Sequence, residues 1–194
     1  MRTVIDIENE TRRLDSEKPS SELIDGVEVQ KEAPMTRHTL LQAAMSRLIG
    51  DWAGRRGYVG PEFRIWLNVD PDRPTTLVPD VAYVRSERLE ALPVDEQQRP
   101  QIAPDLVVEL RSPGDRERNV RRKIELYLAY GCPLVLDVDP EARTIVAHDG
   151  MSVRTYRSGD SFAHGALPGF AFDVAAFFAD GEVRSRGSSQ APTR

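Results

Sequence analysis

Apolar residues in this chain fall into short runs whose spacing switches between strand and helix periods. Leu23-Ile24 and Val27 to Val29 flank Asp25-Gly26, a two-residue turn pair, and predict a hairpin. Over 36–53, Leu41, Ala44, Met45, Leu48 and Trp52 recur at helical spacing, with Thr36 placed to cap the helix after Pro34. Residues 58–67 alternate, with Phe63, Ile65 and Leu67 on one side of a strand, and 77–84 predict a second strand. Leu106 to Leu110 is nearly all apolar, as in a central strand covered on both faces. A helix capped by Asp115 then runs to Tyr130 and closes at Gly131, and a further buried strand covers 134–138. Asp149-Gly150 sits between Thr144 to His148 and Ser152 to Tyr156 as a second hairpin turn. Leu167-Pro168-Gly169 leads to a short amphipathic helix with Val174, Phe177 and Phe178. This order predicts an α/β or α+β arrangement, a central mixed β-sheet flanked by α-helices. The strand–helix–strand piece over 106–138 is expected to be a right-handed parallel crossover.

The ends of the chain lack such periods. Residues 1–20 are charged and end in Pro19-Ser20, and read as a flexible leader. Residues 180–194 carry Gly, Ser, Arg, Gln and Pro and predict a disordered tail. Residues 21–179 then form a single domain, long enough to bury a sizeable core, without an internal repeat.

Composition narrows the function classes. The 194 residues are 40% hydrophobic and 29% charged, ordinary for a soluble globular protein. Net charge is −5, so nucleic-acid binding needs a local basic patch rather than an overall basic surface. A single cysteine, Cys132, excludes an intrachain disulfide and a Cys-based zinc cluster. No apolar run approaches the roughly 18 residues of a membrane span, and the first ten residues lack a signal-peptide core. The expectation is a cytoplasmic protein with no membrane contact.

The candidate chemistry lies over 79–130. Period-two alternation puts Val107, Glu109 and Arg111 on one face of their strand and Leu106, Val108 and Leu110 on the other. A carboxylate inside such a strand is costly unless it is paired or binds a cation. Asp80 follows Pro79, which lacks an N–H and breaks the ladder, so this carboxylate can leave the regular pleat. Asp80, Glu109, the Leu110 carbonyl and waters would suit Mg²⁺, a hard cation that takes oxygen ligands. Helical steps of about 100° put Val120, Ile124 and Tyr127 on an apolar stripe, with Lys123 about 40° from Tyr127 at its edge. From there Lys123 can reach the sheet, while Arg111 is the rival cation and a phosphate clamp. Between Arg111 and Lys123 lie Arg116, Arg118, Arg121 and Arg122, against only Asp115 and Glu117, which suggests a phosphate-contacting surface.

Bland roles stand beside these. Asp80 can cap a turn, Glu109 can pair with Arg111 as a structural ion pair, and Lys123 and the arginines can form a solvated helix face. Glu22 is either a further acidic ligand or a surface strand carboxylate. His38 suits the helix surface better than the site, and Tyr127 suits the core, with its hydroxyl near the site. Asp137 and Asp139 read as turn residues, and Trp52 and Trp66 as core.

The motifs resemble a family. Pro79-Asp80-Val81-Ala82, the run from Pro104 through Glu109-Leu110-Arg111 to Ser112-Pro113, Lys123, Tyr127, Gly131 and Leu136-Asp137-Val138-Asp139-Pro140 are similar to the Uma2 endonuclease family of the PD-(D/E)XK superfamily. Glu22-Leu23-Ile24-Asp25-Gly26, His38 and Leu167-Pro168-Gly169-Phe170 are similar too, so the likeness spans Glu22 to Phe178. It implies a restriction-endonuclease-like core, with Asp80 and Glu109 as metal ligands and the lysine moved from the Glu-x-Lys strand to the next helix, at Lys123. Arg111 stands where the superfamily's usual lysine would be, and Gly114 replaces a common serine. The function implied is Mg²⁺-dependent (or Mn²⁺-dependent) hydrolysis of DNA; the local basic excess adds Arg111, Arg116, Arg118 and Arg122 as the residues expected to hold its phosphates. A nuclease-fold module that binds nucleic acid or regulates without cutting is the alternative. Cutting both strands of a duplex commonly takes two active sites, which points to a homodimer.

Overall fold

Two runs that look continuous in sequence each bend from one sheet into another, and this double bend organises the fold. The computed structural model describes residues 21–67, 73–97 and 100–183; the leader 1–20 and residues 184–194 lie outside the described residues. Strand β3 (Gly57–Pro61) pairs with β6 (Val81–Arg85), and β4 (Ile65–Leu67) pairs with β5 (Thr75–Leu77), all antiparallel. The register is one and the same: Pro61 faces Val81, and four residues further along each run Ile65 faces Leu77. Between them Glu62 takes a positive φ of 51°, and Pro79-Asp80 interrupts the other run. The expected strands over 58–67 and 77–84 are therefore each split in two.

On one side of the bend β4 and β5 join β1 (Ser21–Ile24) and β2 (Val27–Gln30) in a four-stranded sheet of order β2-β1-β5-β4. The Asp25-Gly26 turn closes the β1–β2 hairpin with both residues at positive φ, 52° and 79°, the geometry that such a turn requires. On the other side β6 and β3 join β7 (Leu106–Leu110), β8 (Val135–Asp139), β9 (Thr144–His148) and β10 (Val153–Tyr156) in a six-stranded sheet of order β10-β9-β8-β7-β6-β3. Only β7 and β8 are parallel within it, so the sheet is mixed as expected. A small ribbon of β11 (Ser161–Ala163) and β12 (Ala171–Asp173), which periodicity does not predict, closes the apolar core beside the last helix.

Helix α1 (Thr36–Ala53) and helix α4 (Val174–Asp180) cover one face of the central sheet. Their Leu41, Met45, Ile49, Val174 and Phe177 pack with Leu106, Val108, Leu110, Leu136 and Val138. The second apolar layer lies on the opposite face, where helix α3 (Glu117–Ala129) and the small sheet bring Val120, Ile124, Tyr127, Ile24, Ile65 and Leu77 onto Val107 and Val135. Helix α2 (Ser86–Glu90) is a short connection after β6. Glu109 alternates with Val107 and so falls on the α3 face.

Helix ends differ from the expected caps in detail. Thr36 is the first helical residue of α1, and the extended Met35 precedes it without a side-chain cap. The Asp115 carboxylate accepts the Ser112 N–H at 2.7 Å, and so caps the turn ahead of α3 rather than α3 itself. At the other end Gly131, at φ 96°, closes a Schellman motif: Cys132 N–H donates to Tyr127 O at 2.9 Å and Gly131 N–H to Leu128 O at 3.0 Å. The folded chain also runs past residue 179: Asp180 ends α4 and pairs with Arg47, and Glu182 pairs with Arg143.

Among the glycines of the described residues, Gly57, where β3 meets β6, lies nearest to neighbouring backbone. A Cβ there would lie 2.5 Å from the Val84 carbonyl oxygen and against the Tyr83 ring. Gly57→Ala is expected to destabilise the protein by about 1–3 kcal/mol, read as a lower urea midpoint at unchanged slope.

Candidate active site

The double bend leaves a crotch where the two sheets part, and the chemistry-bearing side chains meet there. Val81 faces Val108 in the last bridge of the β6–β7 ladder, so the next position places Asp80 opposite Glu109. One further step would set Pro79 against Leu110, but the ladder has ended there and proline has no N–H for the Leu110 carbonyl. The Leu110 N–H donates to Asp80 Oδ2 at 2.7 Å, so a carboxylate stands where a strand carbonyl would accept. The Asp80 backbone is held as well: its carbonyl accepts from Gln42 Nε2 at 2.9 Å. His38, one helical turn before Gln42 on α1, places Nε2 3.4 Å from Asp80 Oδ2. His38 is thus buried at the site and not on the helix surface, because α1 begins directly over the end of β6.

Glu109 is met from α3. Lys123 donates to its Oε2 at 2.7 Å, and the Tyr127 hydroxyl donates to its Oε1 at 2.7 Å. These two donors are four residues apart, one above the other on the helix face turned to the sheet. Lys123 is 8% exposed and also lies 2.9 Å from Glu22 Oε1, which in turn accepts the Val78 N–H at 2.7 Å. Glu22 is therefore a buried site residue on β1. The fifth charge is Lys31, just past β2, which donates to Asp80 Oδ1 at 2.8 Å and to the Val78 carbonyl at 2.7 Å. Motif reading does not reach Lys31. The signal was in the hairpin's alternation, which puts it on the same side as Val29, a residue packed on the inner apolar layer.

Three carboxylates (Glu22, Asp80, Glu109) thus face two ammoniums (Lys31, Lys123) in a cleft of about 940 Å³. Burial penalises the Asp80 charge, but the Lys31 charge and the His38 hydrogen bond outweigh it and hold the carboxyl well below its ordinary range. Burial raises Glu109 above its ordinary range; Lys123 opposes this, and the charges of Glu22 and Asp80 add to it. Burial would lower Lys123, yet Glu109 and Glu22 raise it far above an ordinary lysine. His38 is raised on balance, burial opposing and Asp80 supplying the upward pull.

Among the described residues, no three His, Cys, Asp or Glu side chains converge tightly enough to enclose a metal ion. Mg²⁺ does not need such a cage: it keeps several waters and is usually held by one or two carboxylates together with substrate oxygens. Asp80 and Glu109, both hard oxygen donors in a solvent-reached cleft that Leu110 also lines, fit that requirement.

The arginines divide. Arg111 does not pair with Glu109. It makes a two-pronged contact to Asp137, at 2.8 and 2.6 Å, and a third to Glu117 at 2.7 Å. Asp137 is accordingly a buried partner within β8 and not a turn residue, whereas Asp139 does cap the turn after β8 by accepting from Glu141 and Ala142 N–H. Arg122 is bound to Asp25 at 2.7 and 2.8 Å and to Glu125 at 3.2 Å. Arg116 and Arg118 are exposed and line the cleft mouth. Trp66 is buried, and Trp52 packs on Tyr83 and Phe170. Among the described residues, no helix is long and apolar enough to cross a membrane.

The geometry can be set beside known proteins. No curated protein matches the chain significantly. Among solved structures, a crystal structure described as "a putative nuclease belonging to DUF820" from Anabaena variabilis superposes with a TM-score of 0.77 at 19% identity, covering 90% of this chain and 98% of that one. That likeness shows a shared fold. The Uma2 family profile, described as "Putative restriction endonuclease", matches residues 8–175, and the chain therefore belongs to the Uma2 family.

Proposed function

We propose that this protein is a Mg²⁺-dependent endonuclease that hydrolyses DNA phosphodiester bonds in the cleft between its two sheets. The observation that carries the reading is the meeting of Asp80, Glu109 and Lys123 in one cleft of a chain whose family supports a nuclease. Asp80 and Glu109 would hold the metal, with the Leu110 carbonyl as a third oxygen. When bound, Mg²⁺ supplies Lewis-acid polarisation of a phosphoryl oxygen and makes a coordinated water more acidic.

The remaining steps belong to the chain's own groups. Lys123 stays protonated, since its two carboxylate partners raise its pKa, so it serves as a fixed positive charge rather than as a base. In a buried site such a charge stabilises the negative charge that gathers on the phosphoryl group. Tyr127 and Glu22 fix the positions of Glu109 and Lys123. Arg116 and Arg118 lie where a nucleic-acid backbone would approach, and Arg111 and Arg122 stand behind them with their charges shared among carboxylates.

Plasmid nicking with Mg²⁺ or Mn²⁺, stopped by EDTA, tests the reading. Asp80→Asn and Glu109→Gln are expected to remove cleavage and to weaken Mn²⁺ binding measured by calorimetry. Lys123→Met is expected to lower the cleavage rate roughly a hundredfold to a thousandfold while retaining metal binding. Wild-type protein that binds DNA but cuts under no divalent metal would leave the binding-module reading instead.

The raised Glu109 sets a pH dependence. A proton held above the ordinary range competes with the metal, so affinity rises as pH removes it. Calorimetric Mn²⁺ affinity is expected to keep increasing well above about pH 5.5, where a glutamate of ordinary pKa near 4.3 is already ionised. An affinity flat over that range would show that Glu109 carries no such proton.

A further inference from the structure

Asp80 has little capacity left for an additional ligand. Its Oδ2 already accepts from the Leu110 N–H at 2.7 Å and faces His38 at 3.4 Å, while Oδ1 accepts the Lys31 ammonium at 2.8 Å. A cation that takes Oδ1 must therefore contend with Lys31. The two lysines of the site differ in how they are held. Lys123 is enclosed, with carboxylates on two sides, at 2.7 and 2.9 Å, and a side chain 10% exposed. Lys31 touches one carboxylate and one backbone carbonyl, its side chain is 19% exposed, and it lines the cleft just past the end of β2, next to the exposed residues 32–37. Its flexible four-carbon stem can swing the ammonium into solvent without unpacking the core.

We propose that Lys31 is a built-in counter-ion of Asp80, which a divalent metal must displace from Oδ1 in order to bind. The inference rests on the reading of Asp80 as a metal ligand given above. Lys31 keeps Asp80 charged and in position, and it lowers the affinity of the site for the metal through direct competition for one oxygen and repulsion between two cations. Metal entry and Lys31 release are then one event. The released ammonium emerges in the same cleft that holds Glu109 and the exposed Arg116 and Arg118.

Mn²⁺ titrations of the full-length protein, by calorimetry and by electron paramagnetic resonance of free Mn²⁺, test this without reference to cleavage. Lys31→Met removes the competitor and is expected to bind Mn²⁺ about tenfold more tightly than wild type. Lys31→Gln, which keeps a donor for the Val78 carbonyl and serves if the methionine variant folds poorly, is expected to shift in the same direction. Lys31→Arg keeps the charge and is expected to stay within about twofold of wild type. Neutral variants that bind no more tightly than wild type, or an arginine variant that tightens as much as they do, would overturn the proposal. Asp80→Asn separates the two levels of the argument. If it leaves Mn²⁺ affinity unchanged, Asp80 is not a ligand and the metal-site reading fails together with this one. If it weakens binding while the neutral Lys31 variants do not tighten it, only the counter-ion role is lost.

Discussion

The site depends on one hydrogen bond, from the Leu110 N–H to the Asp80 carboxylate at 2.7 Å, just past the Val81–Val108 pair where the β6–β7 ladder ends. A buried N–H without a partner costs about 1–3 kcal/mol, so this contact both satisfies the strand and fixes the side chain. The interruption also lets the β5–β6 run pass from one sheet to the other while its partner run bends at Glu62. The cleft is the space these paired bends leave between the sheets. The break in the run, the aim of Asp80 and the opening thus coincide at the Pro79-Asp80 junction.

Buried charge is the second constraint. Five ionic groups lie in a cleft walled by apolar strands, and each needs partners to be tolerated there. Glu22 caps the Val78 N–H and holds Lys123; Lys123 and Tyr127 hold Glu109; Lys31, His38 and Leu110 hold Asp80. The partners come from β1, the segment after β2, α1, the β5–β6 junction, β7 and α3. Such a network ties the four-stranded sheet to the central sheet through polar contacts at the place where the apolar layer is interrupted. Three acids stand against two lysines and His38, so each buried charge of the cluster has a partner of opposite sign.

Several features were legible from residue order. The hairpin at Asp25-Gly26, the two-sided apolar strand with one acid, the break at Pro79 and the position of Lys123 on the edge of a helical stripe all follow from local geometry with a fixed period. The Uma2 motifs bound those pieces to one family, and the fold agrees. What period cannot supply is the partner of a charged side chain. Arg111 shares a strand face with Glu109 in sequence, yet its guanidinium turns to Asp137, because the parallel β7–β8 pairing places Asp137 beside Glu109 and leaves Glu109 to the helix. His38 reads as a surface group, and Lys31 goes unread, until α1 and the hairpin are packed against the Asp80 end of β6.

Sequence by itself therefore determined most of the larger elements, the central position of the Glu109 strand and Asp80, Glu109 and Lys123 as the groups at issue, since backbone period and turn chemistry act within a few residues. Tertiary structure alone decided which cation meets which acid. Lys31 is 49 residues from Asp80 in the chain and Arg122 is 97 from Asp25, and no local rule spans such distances. In a buried site those pairings set the charge each group carries, and so they set what the cleft can bind.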